Sequence, residues 1–422
     1  MTGFFGNRWW VVFASICGLL VGAGAIDIFS FGVFLKAVTE DLGVGRALLS
    51  SGLIVTNLLI ALGCIPLGWA LDRWGVRRVM IPGVVLYALG TACWALMTSN
   101  PLVIYLTFFL AGLFACFGSP VPFAAVLSLW FDRQRGLAIG IAVAGVGLGV
   151  SIIPQLAAFF IRSYGWRTAY LLLGVTILVL SWVPIAVFVR EPNEKDQARQ
   201  NDVAAPSVAL PGVEVSQALL HSWRFWALTV AFVISTVAIN GTISHMVPLL
   251  TDRGVPLQTA ADALSAVGIA LLIGRIGSGW CLDRFSGPLV AVCFFVLPII
   301  GIGLVALNAG LQVSIVGAVL CGASTGAEVD IMAFFVSRYF GLKSYGKLYG
   351  IMFAAFAFGN GFGPTIAGWS FDRYHSYNAA FAIFEALLVL TCILLAPLGA
   401  YPFPKRSAAA PNRAGEPRRM PA

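Results

Sequence analysis

Arg275 stands inside the apolar run Ala270-Leu-Leu-Ile-Gly-Arg-Ile-Gly-Ser-Gly-Trp280, eight residues before Asp283. On a helix that spacing is about 12 Å, close to the middle of a hydrocarbon layer about 30 Å thick. A guanidinium keeps its charge there and offers a planar fork that fits a carboxylate through two hydrogen bonds. The same position also suits a buried ion pair with an acid on a neighbouring helix. Asp27 lies nine residues before Lys36, at comparable depth from the opposite end. Burial opposes ionisation of such a carboxyl and a nearby guanidinium favours it, the balance a proton-coupling site needs. A permanent Asp27–Arg275 pair is the structural alternative.

Glu328 and Asp330 share one helix, in Ser324-Thr-Gly-Ala-Glu-Val-Asp330. Residues two apart diverge by about 200°, so only one of them can face a given cavity. Glu328 is taken as the second candidate for carrying a proton, the other acid serving packing or an ion pair. His245, in Ile243-Ser-His-Met-Val-Pro248, has the chemistry to hydrogen-bond a substrate or sense pH, and equally suits a structural role near a helix end. Ser30, Ser119, Asn240 and Asn360 are candidate polar contacts to a substrate.

The elements that must hold these groups follow from composition. Of 422 residues, 59% are hydrophobic and 10% charged, against roughly 25% charged in a soluble domain. Twelve apolar runs between residues 10 and 400 each reach the roughly 20 residues that cross a bilayer. An ionisable group within such a run is expensive and marks function by default. The eight cysteines fall in these runs without metal-ligand spacing and read as small hydrophobes.

The net charge of +8 would suit nucleic acid were it not so unevenly placed. With a cytoplasmic start, 19 of the 26 Lys and Arg fall on the cytoplasmic side and six on the other. The positive-inside rule then puts both termini in the cytoplasm. The expected location is a bacterial inner (cytoplasmic) membrane, crossed many times.

Four segments are expected: an N-terminal six-helix bundle over 1–190, a polar cytoplasmic linker over 191–221, a C-terminal six-helix bundle over 222–403 and a basic cytoplasmic tail over 404–422. The halves repeat each other. Gly68-Trp-Ala-Leu-Asp-Arg73 matches Gly279-Trp-Cys-Leu-Asp-Arg284 at a shift of 211 residues, while Gly140-Ile141 matches Gly350-Ile351 and Pro154 matches Pro364 at 210. A parallel duplication of this kind puts a substrate site between two bundles near the midplane. The glycines of these helices permit close approach and belong to no phosphate-binding loop, since no strand precedes them and no Lys-Ser/Thr pair follows.

The stretch Gly68-Trp-Ala-Leu-Asp-Arg-Trp-Gly-Val-Arg-Arg78 resembles the loop signature between helices 2 and 3 of the major facilitator superfamily, whose layout almost the whole chain follows. The resemblance implies an all-α membrane fold of twelve helices in two bundles. It also implies that Asp72, Arg73 and Arg78, with Asp283 and Arg284 in the repeat, gate alternating access from the cytoplasmic side. Loop arginines that only set topology are the simpler reading of the same residues.

Within that superfamily, Phe31-Gly-Val-Phe-Leu-Lys36, Trp130-Phe-Asp-Arg-Gln-Arg-Gly136, Gly274-Arg-Ile-Gly-Ser-Gly279 and Arg338-Tyr-Phe-Gly341 are similar to the monocarboxylate transporters and oxalate/formate exchangers. Those carriers hold substrate with an arginine at the position of Arg275. Two departures matter. Animal monocarboxylate carriers have a Lys in helix 1 and an Asp one turn before the helix 8 arginine, where this chain has Phe29 and Leu271. Oxalate carriers add a cation in helix 11, where this chain has Phe356. A single central cation suits a monoanion.

The expected function is secondary transport of a small organic anion, a monocarboxylate, by proton symport. Anion exchange remains the alternative within transport. Drug export ranks lower, because the helix 4 arginine and helix 5 glycine motif of drug exporters are missing. A transporter-shaped receptor is the alternative outside transport. No enzyme activity, cofactor or metal is expected. The expected partners are a small carboxylate, protons and the lipid bilayer, with no nucleic acid, and the expected state is a monomer.

Overall fold

The computed structural model describes residues 8–131, 135–189, 212–341, 343–399 and 401–402. Most of the expected linker (191–211) and the basic tail lie outside the described residues.

The described residues form eleven apolar helical segments long enough to cross a membrane. One of these, Leu137–Phe188, has 52 residues, twice what a crossing needs. It breaks at Gly165, whose φ of 80° and ψ of 163° an L side chain rarely adopts. The crossing helices are therefore twelve: α1 Trp9–Phe29, α2 Arg46–Trp74, α3 Val76–Leu96, α4 Pro101–Trp130, α5 137–164, α6 166–188, α7 Trp223–Asp252, α8 Leu257–Arg284, α9 Gly287–Ala306, α10 Leu311–Tyr339, α11 Tyr345–Tyr374 and α12 Asn378–Leu398. Past Ser30, α1 continues as Phe31–Leu42.

The packing is that of a membrane protein. Large apolar side chains such as Ile65, Leu102 and Ile276 face outward, while serines, threonines and asparagines are buried between helices. With lipid outside there is little hydrophobic drive between helices, so close backbone approach at small residues holds them together. Prolines stand inside α2, α3, α5, α9 and α11, as membrane helices tolerate where surrounding groups can satisfy the freed carbonyls. In α1 the segment Gly24–Phe29 is wound as a π-helical turn, an irregularity frequent at functional sites. Helices α1–α6 and α7–α12 form the two six-helix bundles.

Candidate functional site

Arg275 lies on the face of α8 that looks across at the other bundle. Ile269, Ile273, Ile276 and Trp280 mark the lipid side of α8, being 53–75% exposed. By helical rotation Arg275 is about 130° away from that stripe. It also lies about 20° from the line through Gly268, two turns above it. A Cβ at Gly268 would stand 2.8 Å from the Gly147 carbonyl of α5, so this face meets the N-terminal bundle.

Among the described residues the guanidinium has one acidic partner, Asp330 of α10, whose Oδ2 lies 3.4 Å from Arg275 Nε. The two side chains are 25% and 36% exposed, so the pair is neither sealed nor lost to the surface. The closest approach is through Nε, which makes no hydrogen bond, and among the described residues no hydrogen bond engages the two Nη groups. Their fork remains open to a bidentate acceptor. Tyr349 of α11 interacts electrostatically with both members of the pair. Close packing of Gly326 on the Leu271 carbonyl sets α10 against α8 and brings Asp330, one turn further on, beside Arg275.

Asp330 was read in the sequence as a packing or ion-pair acid, and its proximity to Arg275 was missed. The available signal was the divergence of Glu328 and Asp330. Glu328 is fully buried and accepts a hydrogen bond from Ser235 of α7, which turns Asp330 toward α8.

The other candidates lie elsewhere. Asp27 is fully buried within the N-terminal bundle, facing Tyr170 of α6 and Tyr87 of α3, whose hydroxyl is its nearest donor but lies outside good hydrogen-bond geometry. The expectation that it opposes Arg275 is corrected: the π-helical turn and close packing of α1 on α4 at Gly22 and Gly118 direct it inward. Ser30 donates to the Ala25 carbonyl and stabilises that turn. Ser119 caps the second segment of α4, bonded to the Cys116 carbonyl at 2.7 Å and the Val121 amide at 3.4 Å. Asn240 and Asn360 bond each other at 2.6 Å and share Thr236, tying α7 to α11. These polar groups already have protein partners, and none adjoins Arg275.

His245 belongs to a latch at the end away from the arginine-rich loops. Its Nε2 donates to the Pro364 carbonyl at 2.9 Å and lies 3.2 Å from Ser50 Oγ, while Nδ1 is 3.3 Å from the Tyr377 hydroxyl. Arg46 at the start of α2 reaches across to Asp252 at the end of α7, its Nη1 and Nη2 at 2.6 and 3.0 Å. It also donates to the Tyr377 hydroxyl and lies 3.6 Å over the Phe371 ring. Lys36 adds a second cation, 3.0 Å from Asp252. Asp372 of α11 accepts from the Arg46 and Ala47 amides at 2.9 and 2.8 Å, capping α2 across the bundle boundary. A cleft of about 270 Å³ beside this latch is lined by Lys36, Glu40, Val247 and Thr251. Also at this end, Arg167 and then Trp166 bond Asp41 and hold its carboxyl below the usual carboxylate range.

From latch to arginine-rich end the two seams between bundles change character. A Cβ at Gly361 or Gly368 of α11 would stand 2.5 Å or 2.7 Å from the α2 backbone at Ile54 or Ala47. One at Gly147 of α5 would meet Leu272 of α8 at 2.5 Å, and Ser151 and Ser265 bond each other's carbonyls. Three turns further along the same faces, Gly350 and Gly279 have nothing within 4 Å of such a Cβ, and neither have Gly68 and Gly140 on the opposing helices. Both seams are thus closed at the latch end and open at the arginine-rich end, with Arg275 just past the point of closure.

At that open end Asp72, Arg73, Arg78, Asp283 and Arg284 are exposed. Arg73 lies over Trp69 at 5.2 Å and Arg284 over Trp280 at 4.1 Å, each on its own helix. The latch in this conformation is Arg46–Asp252, which the sequence reading did not single out.

A family model described as the Major Facilitator Superfamily matches residues 16–327 and 264–421. Curated relatives include monocarboxylate transporter 13 of Bos taurus, 29% identical over 332 residues, covering 77% of this chain and 74% of the relative. Monocarboxylate transporter 12 of Xenopus laevis is 27% identical over 362 residues, covering 79% and 76%. Among solved structures, the D-xylose–proton symporter superposes with a TM-score of 0.71 at 13% identity, covering 92% of this chain and 97% of that one. A bacterial homolog of the human lysosomal transporter Spinster, in an inward-facing and occupied conformation, gives 0.64 at 18% identity, covering 92% and 94%. Likenesses this distant in sequence speak for the fold.

Proposed function

The chain belongs to the Major Facilitator Superfamily, and from that premise we propose that it is a proton-coupled carrier of a small monocarboxylate, working by alternating access. The observation that carries the reading is Arg275: a fixed cation at mid-depth on the inter-bundle face, paired with Asp330 and with no hydrogen bond to its Nη groups among the described residues. The named relatives are monocarboxylate transporters, which supports the substrate class.

Coupling follows from competition for that cation. Asp330 ionised occupies Arg275; Asp330 protonated releases it. A carboxylate that takes the guanidinium therefore favours a proton on Asp330, and substrate and proton are carried together. This gives Asp330 the role expected of Asp27, and supplies from α10 the acid that Leu271 omits from α8. Asp27, with no ion pair among the described residues, is then a structural acid of the N-terminal bundle, and Glu328, bonded to Ser235, a structural acid of the C-terminal bundle. With the Lys- and Arg-rich loops in the cytoplasm of a bacterial inner membrane, the conformation faces inward, Arg46–Asp252 closing the outer side.

The test is uptake of labelled lactate into proteoliposomes under an imposed pH gradient, alkaline inside. Symport predicts accumulation that collapses with the gradient and is lost in Arg275→Ala. Uptake that ignores the gradient and requires a trapped counter-anion would replace symport by exchange.

A further inference from the structure

One face of α11 carries four aromatic rings in succession. Tyr345, Tyr349, Phe353 and Phe356 stack with centroids 5.7, 5.8 and 5.8 Å apart and ring planes within 9–29° of each other. Stacking along one helix face is by itself ordinary packing at i, i+4 spacing. Three observations take this ladder further. Its direction is about 155° around the helix from the lipid-facing stripe of Ile351, Phe358, Phe362 and Trp369, so the rings look into the molecule. Tyr345, Tyr349 and Phe353 nevertheless remain half-buried, so ring surface is left uncovered on the inner side. Gly346 and Gly350, between the rings, have nothing within 4 Å of a Cβ, so the ladder stands where the seam to α2 is open. Tyr349 lies within electrostatic range of Arg275 and Asp330, so the fixed cation and the ladder share the same opening.

We propose that this ladder is the subsite for the body of the substrate, and that the preferred substrate is a monocarboxylate bearing a planar aromatic group. This rests on the reading of Arg275 as the carboxylate anchor. Ring centroids less than 6 Å apart leave no gap for intercalation, so the substrate ring lies against the ladder's uncovered side in edge-to-face contact. Phe356 ends the ladder as a buried ring, 7% exposed. An apolar ring there rejects a second carboxylate and accepts a ring, because a buried unpaired charge is costly.

The experiment is calorimetric titration of the full chain in nanodiscs with acetate, cyclohexylacetate and phenylacetate, repeated on Phe353→Leu, Phe353→Tyr and Arg275→Ala. Leu fills the space without a ring, and Tyr keeps the ring, so loss of fold is separable from loss of stacking. Phenylacetate is expected to bind tightest. Phe353→Leu is expected to weaken phenylacetate by about three- to tenfold, leave acetate unchanged, and be rescued in Phe353→Tyr. Cyclohexylacetate binding as tightly as phenylacetate would overturn the aromatic assignment, as would equal binding of acetate and phenylacetate. If acetate and phenylacetate bind equally and both are lost in Arg275→Ala, the ladder fails while the anchor stands. If Arg275→Ala retains all three acids, the anchor fails and the subsite with it.

Discussion

Arg275 and Asp330 form a pair whose value is in being breakable. An ion pair with several hydrogen bonds sealed between helices would hold the bundle together and resist exchange. This one has a closest approach of 3.4 Å, no hydrogen bond from the guanidinium among the described residues and partial exposure on both sides. Asp330→Asn is predicted to leave carboxylate binding intact or tighter and to flatten its pH dependence, measured by titration between pH 5 and 8. Arg275→Lys is predicted to weaken binding about tenfold or more, because an ammonium lacks the bidentate fork. The place of Arg275 deep in an apolar run was legible in the sequence. Its partner was not, because helical periodicity says which way a residue points along its own helix and nothing about which helix stands opposite. For the same reason Asp27 seemed to face the arginine, when packing at Gly22 and Gly118 had turned it into its own bundle.

Between elements, the decisive contacts are at the latch and along the seams. Arg46 is 6% exposed and holds Asp252 through two hydrogen bonds. Arg46→Ala leaves Asp252 with Lys36 alone and is predicted to destabilise this conformation on the order of 3 kcal/mol. The matching observation is faster thiol labelling at Ser50→Cys from the latch side, against the same cysteine in the parent. The repeated glycines bear on the opposite end. Gly279→Leu or Gly350→Leu is predicted to retain carboxylate binding and lose most transport, because a branched side chain in the open seam blocks its closure. Retained transport with either substitution would show that these faces do not meet. The helices themselves were readable from hydropathy, and the repeat from the 210–211-residue shift. The latch was not, because Arg46, Asp252 and Asp372 look like ordinary loop-end charges until α2, α7 and α11 are brought to one place.

Across the whole molecule, two bundles joined at one end and parted at the other place a mid-depth cation at the apex of the opening. Closure at the arginine-rich end with release of the latch would expose the same cation to the other side, as alternating access requires. The central claim is that a substrate anion displaces Asp330 from Arg275 and that a proton takes up the charge left over. It is tested most directly by counting protons during binding, with lactate added to purified protein in weak buffer near pH 7 and the pH change recorded. The account predicts uptake of about one proton per anion bound, and binding without uptake in Asp330→Asn. Lactate binding to the parent with no proton uptake, or uptake unchanged in Asp330→Asn, would contradict it.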